Sequence, residues 1–162
     1  QTSLDLQQLD RAVQDSYQDW QARLDWLERL PTGLPVGGAF HLSSGFGLRN
    51  DPFTGNLALH EGLDFSADPG TPVLAAAVGR VVRSGHDATY GHVVDIQHTD
   101  GFLTRYGHLQ RRHVVLHQDV KRGELLGEVG NTGRSTGPHL HLEIFRHDRA
   151  VDPLKVMTYL KP

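Results

Sequence analysis

The sequence predicts a mainly β fold, an antiparallel body of two sheets preceded by one N-terminal amphipathic α-helix. From Ala39 onward, short apolar or alternating runs are separated by Gly, Pro, Asn and Asp, a composition typical of strands and turns. Thr99-Asp100-Gly101 separates two of these runs and indicates a hairpin. Residues 4–30, in contrast, contain no Gly or Pro and carry apolar residues at helical spacing.

The helix predicted over residues 1–30 has an apolar seam. The seam residues recur every three or four positions and are Val13, Tyr17, Trp20, Leu24 and Leu27. Because both tryptophans of the chain lie in this segment, we expect the seam to dock on the following domain; a protein partner or a longer coiled coil is the alternative. The Pro- and Gly-rich residues 31–38 predict a linker, and residues 39–162 the second domain.

Strands are predicted in the second domain at residues 72–82, 93–98, 102–106 and 125–129. A further strand follows the turn-rich loop 130–138, where apolar and polar residues alternate. Signals for a second helix are nearly absent from this part of the chain. The pattern is that of an antiparallel body built from hairpins.

Composition excludes several classes of function. The 162 residues are the size of one domain with an appendage, and the net charge of -3 does not favour nucleic acid or an anionic membrane as a partner. The sequence contains no apolar run long enough to predict a transmembrane segment. Because the chain has no cysteine, a transition metal would need His and carboxylate ligands, and the composition suits an extracytoplasmic compartment.

The strand after residue 138 carries two histidines and a carboxylate on one face. Alternation puts His139, His141 and Glu143 on the same side, as a metal site or an acid/base site requires. Glu143 is most simply a hydrogen-bond partner that orients a histidine. The alternative is that this face is only solvated.

A second pair with ligand chemistry is His60 and Asp64, four residues apart. Together with one histidine of the His139/His141 pair, they would supply three zinc ligands. Three protein ligands leave one position open, which is the mark of a catalytic zinc site. The alternative is an ordinary surface His-Asp pair.

Other polar residues are expected around this site. His108 is predicted at the end of the strand 102–106, on a rim suited to proton transfer or oxyanion stabilisation. Arg49, in a Gly-rich turn, could orient an acidic residue or a substrate carboxylate. The loop residues Asn131, Ser135 and Thr136 are expected to shape a groove beside the metal, because no Gly-Lys-Ser/Thr and no helix follow as in a phosphate loop.

The motifs in this order resemble the lysostaphin-type (LytM-domain) zinc metallopeptidases, which cut peptide cross-links of bacterial cell walls. The resemblance covers residues 43–153. It rests on Ser44-Gly-Phe-Gly-Leu-Arg49, His60-x-x-x-Asp64, Gly70-Thr-Pro-Val73, Tyr106-Gly-His108, Gly127, Gly130-Asn-Thr-Gly133 and Ser135-Thr-Gly-Pro-His-Leu-His141. Two departures, Val78-Gly79 in place of Asp-Gly and His117 in place of Gly, lie away from the metal motifs.

The resemblance implies a β body with an open groove and one Zn²⁺ bound by His60, Asp64 and His141, with His108 and His139 as catalytic histidines. It implies peptidoglycan stem peptides as the substrate and a place in the periplasm or envelope of a bacterium. The cross-link could be a direct D-alanyl-diaminopimelate bond or a glycine bridge, and the likeness of the Asn-Asp-Pro and Asn-Thr-Gly-Arg-Ser loops to relatives from diderm bacteria favours the former. No counterpart of the groove tyrosine of some relatives is identified.

Two other functions remain open on the sequence. Some members of the family have lost metal ligands, and a non-catalytic activator or wall-binding module would use the helix to engage a partner, although every ligand is present here. A zinc amidase would share the metal chemistry. The remaining histidines are interpreted as surface or hydrogen-bonded structural residues: His41, His86, His92, His98, His113, His117 and His147.

Overall fold

A computed structural model describes residues 2–157, with the side chains described from residue 6 onward. Residue 1 and the predicted end of the second domain, residues 158–162, lie outside the described residues. The elements in chain order are α1 (Thr2–Arg29), β1 (His41–Ser44), β2 (Gly47–Asn50), β3 (Leu57–His60), β4 (Leu63–Ser66), β5 (Pro72–Leu74), β6 (Gly79–Asp87), β7 (Gly91–Gln97), β8 (Phe102–Arg112), β9 (Asp119–Val120), β10 (Leu125–Val129), β11 (His139–Arg146), β12 (Arg149–Val151) and α2 (Pro153–Met157).

The strands form two antiparallel sheets of unequal size, which confirms the predicted fold class. The main sheet has ten strands, and its path runs β1-β4-β11-β8-β7-β6-β9. β8 is long enough to pair with β11, β7 and also β10, which in turn pairs with β5. β2 and β3 form a separate two-stranded sheet beside β4.

Two predicted strands differ from the observed ones. Residues 72–82 form two strands, since the buried residues Ala75, Ala76 and Ala77 carry the chain from pairing with β10 to pairing with β7 and β9. The strand predicted at 102–106 continues to Arg112. The strands near 93–98 and 125–129 and the hairpin between β7 and β8 are confirmed, and Gly101 at that turn has a φ of 72°.

The core lies on one face of the main sheet, where β11 contributes Leu140, Leu142 and Ile144, all fully buried. Burying one such side chain stabilises the fold by about 1.5–3 kcal/mol. The intervening residues His141 and Glu143 therefore point to the opposite face. This alternation rigidly presents polar side chains from a strand in the middle of the sheet.

The helix α1 forms as predicted, but the expected docking of its seam is wrong. Val13, Tyr17 and Trp20 are each more than half exposed. Contact with the β body occurs at the last turn, where Arg122 donates a hydrogen bond to the carbonyl oxygen of Leu27 at 3.4 Å. A cation at this end also complements the helix dipole. No helix in the described range is long and apolar enough to cross a membrane.

Residues 31–38, predicted as a linker, pack along β5. The backbone N–H of Gly33 donates to the carbonyl of Ala76, and Leu74 donates to the carbonyl of Pro35, each at 2.9 Å. Val36 is 1% exposed and bridges to Val73. These contacts add an extended segment to the β body; the division into domains stays a prediction.

Candidate metal centre

Three polar side chains converge where β3, β4 and β11 meet. His60 ends β3, and Asp64 in β4 lies directly opposite His141 in β11. His60 Nε2 is 3.3 Å from His141 Nδ1 and 3.3 Å from Asp64 Oδ1, and His141 Nδ1 is 2.7 Å from the same oxygen. All three residues are buried. They form the candidate metal group.

The donor set fits zinc. Ligand atoms of a tetrahedral zinc site lie about 3.3 Å apart, since the metal-ligand bonds are about 2.0–2.1 Å long. The two distances from His60 Nε2, each 3.3 Å, match this spacing, whereas the 2.7 Å between His141 Nδ1 and Asp64 Oδ1 is that of a direct hydrogen bond. The buried carboxylates Asp95 and Glu143 are paired with Arg105, whereas the buried carboxylate of Asp64 faces His60 and His141. A buried negative charge between two imidazoles suits a dication.

Hydrogen bonds fix which ring nitrogen of each histidine faces the group. His60 Nδ1 donates to the carbonyl oxygen of Gly45 at 2.7 Å, and His141 Nε2 donates to Glu143 Oε1 at 3.0 Å. His60 Nε2 and His141 Nδ1 are therefore the ring nitrogens available to a metal ion, which would take the place of a proton there. Glu143 makes the contact to a histidine that its position in the sequence predicted.

The electrostatics of His141 also favour a cation. Burial alone would lower the pKa of His141, but the adjacent carboxylates of Asp64 and Glu143 outweigh burial and raise it to about 9. Burial alone would raise the pKa of Asp64, but its neighbours His141 and His60 hold this pKa well below its usual range. Surroundings that stabilise a proton on His141 offer the same negative charge to a metal ion.

His108 and His139 line the same cleft beside the metal group, with ring centroids 4.8 Å apart. His139 Nδ1 donates to the carbonyl of Gly137, and His108 Nδ1 to the carbonyl of Thr132, each at 2.8 Å. Both rings leave Nε2 free to accept a proton, and His139 Nε2 is 3.7 Å from Asp64 Oδ1. Burial lowers the pKa of His108 to about 4, so its ring is neutral at pH 7.

His108 does not end a strand, as the sequence suggested, because β8 continues to Arg112. A bulge lies here: three steps from Tyr106 to Leu109 on β8 oppose two steps on β7. His108 has a φ of 60°, which is uncommon for a residue other than glycine. Its N–H donates to the carbonyl of Tyr90 at 2.7 Å. The bulge turns the imidazole into the cleft.

Of the predicted groove residues, Arg49, Ser135 and Thr136 line the cleft. Arg49 Nη2 lies 3.6 Å from Asp64 Oδ2, and so faces an acidic residue, one of its two predicted partners. Asn131 is exposed and is not among the residues that line the cleft.

An ion pair joins the two loops that form one wall of the cleft. Arg134 donates to both carboxylate oxygens of Asp51 at 2.8 Å. Its guanidinium carbon lies 4.6 Å from the ring centroid of Phe53, a cation-π contact. The loop 130–138 and the turn after β2 are thereby joined.

Tyr90, which was not predicted as a site residue from the sequence, also lines the cleft. Its hydroxyl donates to Glu143 Oε1 at 2.9 Å, and burial and the Glu143 charge raise its pKa to about 12. The signal in the sequence is the turn that begins at Asp87, whose carboxylate accepts the N–H groups of Thr89 and Tyr90. That turn brings the tyrosine to the rim.

Gly62 lies behind His141. A Cβ atom built on Gly62 would lie 2.5 Å from His141 Cε1 and 2.7 Å from the carbonyl oxygen of Leu142. Only glycine, which has no side chain, fits between His60 and Asp64, because the chain at Gly62 lies so close to β11.

Two of the histidines interpreted as structural have defined partners. His98 is buried, its Nδ1 donates to the carbonyl of Val78 at 2.8 Å, and its Nε2 lies 2.8 Å from Thr104 Oγ1. His113 Nε2 lies 2.9 Å from Glu128 Oε1. These contacts confirm a hydrogen-bonded structural role for both residues.

A profile described as Peptidase family M23 matches residues 58–153, a range that contains the candidate metal group and both cleft histidines. The chain belongs to peptidase family M23. The resemblance to LytM-type metallopeptidases is thereby confirmed. Zinc as the cofactor of this M23 chain follows from the family together with the metal group.

Curated relatives share the M23 region. The chain is 41% identical over 132 residues to peptidoglycan DD-endopeptidase ShyA of Vibrio cholerae, covering 81% of this chain and 31% of ShyA. It is 43% identical over 115 residues to DD-carboxypeptidase/endopeptidase Mpg of Neisseria meningitidis, covering 71% of this chain and 26% of Mpg. The M23 chain thus spans less than a third of the length of either relative.

Solved structures share the fold. A zinc-containing peptidase from Vibrio cholerae superposes with a TM-score of 0.73 at 38% identity, over 78% of this chain and 40% of that one. The catalytic domain of lysostaphin from Staphylococcus simulans superposes with a TM-score of 0.67 at 31% identity, over 74% of this chain and 92% of that one. The β body of the M23 chain therefore corresponds to nearly the whole of a peptidase catalytic domain.

Proposed function

We propose that this chain is a zinc-dependent endopeptidase that hydrolyses peptide cross-links of bacterial peptidoglycan. The observation that carries the proposal is the convergence of His60, Asp64 and His141 in one cleft, with His108 and His139 beside them. We assign zinc binding to the first three residues and proton transfer to the other two. The names of the relatives from Vibrio and Neisseria support a peptidoglycan substrate.

The cross-link we propose is the D-alanyl-diaminopimelate bond of stem peptides. The relatives named DD-endopeptidases support a bond between two D-configured centres. Arg134, Ser135 and Thr136 of the loop 130–138 line the cleft that holds the metal group, so they can contact a bound peptide. Arg49, beside Asp64, is suited to a substrate carboxylate.

His60, Asp64 and His141 would hold the zinc, with their remaining polar atoms committed to neighbouring groups. When bound, zinc polarises a carbonyl group and lowers the pKa of a coordinated water to about 7. His139 and His108 each keep Nδ1–H on a backbone carbonyl, so Nε2 is the atom that takes up a proton and later returns it to the leaving amine.

Defined muropeptides test this proposal. Cross-linked dimers with a D-alanyl-diaminopimelate bond should be converted to monomers, identified by their masses, and chelation of zinc or His139→Ala should stop the conversion. Intact dimers after incubation with zinc-loaded protein would refute endopeptidase activity on this bond. Release of stem peptides from the glycan would indicate an amidase instead.

We also propose that α1 binds a protein partner or forms a coiled coil, and that the protein acts in the bacterial periplasm or envelope. The exposed seam supports the first part, because an isolated helix gains little stability without a surface to cover its apolar face. A peptidoglycan substrate supports the second. Sedimentation of the chain with and without residues 1–29 tests self-association through α1.

A further inference from the structure

A row of charged side chains crosses three adjacent strands of the main sheet, next to His141 and on the same face. Asp95 in β7, Arg105 in β8 and Glu143 in β11 lie directly opposite one another in adjacent strands. Asp95 and Glu143 are 4% and 3% exposed. The row therefore runs from β7 through β8 to Glu143 in β11, the residue that contacts His141.

The guanidinium of Arg105 is held in one orientation. Its Nε and Nη2 donate to the two oxygens of Asp95, each at 2.9 Å. The planar fork then directs Nη1 toward Glu143 Oε2, at 3.1 Å. Asp95 thus determines where Arg105 points.

Glu143 is in turn fixed by three donors. Its Oε2 accepts from Arg105, and its Oε1 accepts from the Tyr90 hydroxyl at 2.9 Å and from His141 Nε2 at 3.0 Å. A buried carboxylate needs each oxygen satisfied, and a rotated carboxylate would lose all three contacts. Without Arg105, one oxygen of Glu143 would lack its charged partner.

We infer that Arg105, oriented by Asp95, is a positioning residue for the metal site: it aligns Glu143 so that His141 donates Nε2–H and presents Nδ1 to zinc. The inference rests on the proposed zinc binding by His141. The support of the ligand His141 in β11 would then extend to β8 and β7, through Arg105 and Asp95, which do not touch the metal group. Partners of this kind typically contribute about 10- to 100-fold to metal affinity.

Zinc affinity of the metal-free protein, measured by competition with a chromophoric chelator, tests the inference. We expect Arg105→Gln to weaken zinc binding by about 10-fold or more. Arg105→Lys should lose less, because an ammonium group can still contact Glu143 but cannot fork between two carboxylates. Asp95→Asn, which keeps the shape of the side chain but removes the charge that holds the fork of Arg105, should also weaken zinc binding.

Two controls separate positioning from stability. Arg80→Gln removes a comparable forked pair with Asp119 at the far edge of the sheet, and Val120→Ala weakens the core there. Both should keep the wild-type zinc affinity. Wild-type zinc affinity in folded Arg105→Gln and Asp95→Asn would overturn the inference, and so would a loss in Arg105→Lys as large as that in Arg105→Gln. Weak zinc binding by the wild-type chain, or equal binding by His60→Ala, would instead refute the proposed ligand set.

Discussion

The Nδ1–H of His108 donates to the carbonyl oxygen of Thr132, which lies in the loop 130–138 that also forms one wall of the cleft. Because this bond fixes the ring, Nε2 is the atom available for proton transfer. We expect His108→Ala and His139→Ala to keep stoichiometric zinc but to lose about 100-fold or more in kcat. Metal content and turnover of cross-linked dimers check this. Loss of metal from His139→Ala while His141→Ala keeps it would reverse the roles of that pair.

The metal group should respond differently to substitution. His60→Ala and Asp64→Ala each remove one of three ligands, so both variants should purify without stoichiometric zinc and be inactive. Elemental analysis after dialysis measures this directly. His41→Ala, an exposed histidine outside the cleft, is the matched control and should keep one zinc per chain. Full occupancy in the first two variants would contradict the ligand assignment.

The Arg134–Asp51 pair is expected to shape the cleft without supporting the metal. Arg134→Gln frees the loop 130–138 from the turn after β2, so KM for cross-linked peptides should rise while zinc content is unchanged. As the pair is partly exposed, the expected effect is modest, about five-fold or less. Asp51→Asn and the double variant complete a cycle, and additive effects on KM would show that the two side chains do not act together.

His98 should make the fold sensitive to acid. Burial lowers its pKa although the Val78 carbonyl opposes the shift, whereas in the unfolded chain the pKa is about 6.5. Below about pH 6.5 the unfolded state binds a proton that the folded state does not, so stability falls as the pH falls. His98→Gln should be less stable than wild type at pH 7.5, and the difference should narrow at pH 5.5. Urea unfolding measures it; a constant difference would contradict this role.

Truncation should distinguish α1 from the segment that follows it. A chain beginning at Leu30 should keep zinc and activity, since none of the described α1 residues lines the cleft. A chain beginning at Gly37 also loses Val36, whose burial stabilises the fold by about 1.5–3 kcal/mol. Urea unfolding of the two chains measures the difference. Equal stability would show that residues 30–36 are a linker in energetic terms, and a rise in activity without α1 would indicate masking.

The period of two along β11 made most of the site predictable. Leu140, Leu142 and Ile144 are buried, which forces His139, His141 and Glu143 onto the other face, and the His60-x-x-x-Asp64 spacing completes the metal group. The hairpin and the strand at 125–129 were equally visible, because turn residues bound them on both sides.

Long-range pairing accounts for what the sequence did not reveal. The bulge at His108 depends on the register of β8 against β7, and the contact of Arg105 with Glu143 depends on which strand lies beside β11. The seam of α1 has helical spacing whether or not a surface covers it, so periodicity predicted the helix but not its exposure. Composition likewise marked residues 31–38 as irregular without showing that they pack on β5.

The close approach of Gly62 to His141 has an entropic consequence. The His141 ring packs against Gly62, where an added Cβ would lie 2.5 Å from Cε1, and its two ring nitrogens contact Glu143 and Asp64, so the imidazole is held in one rotamer. Little rotational freedom is therefore left to lose when a metal ion arrives, and the zinc-free site should bind zinc rapidly, at a rate governed by ion dehydration rather than by ring reorientation.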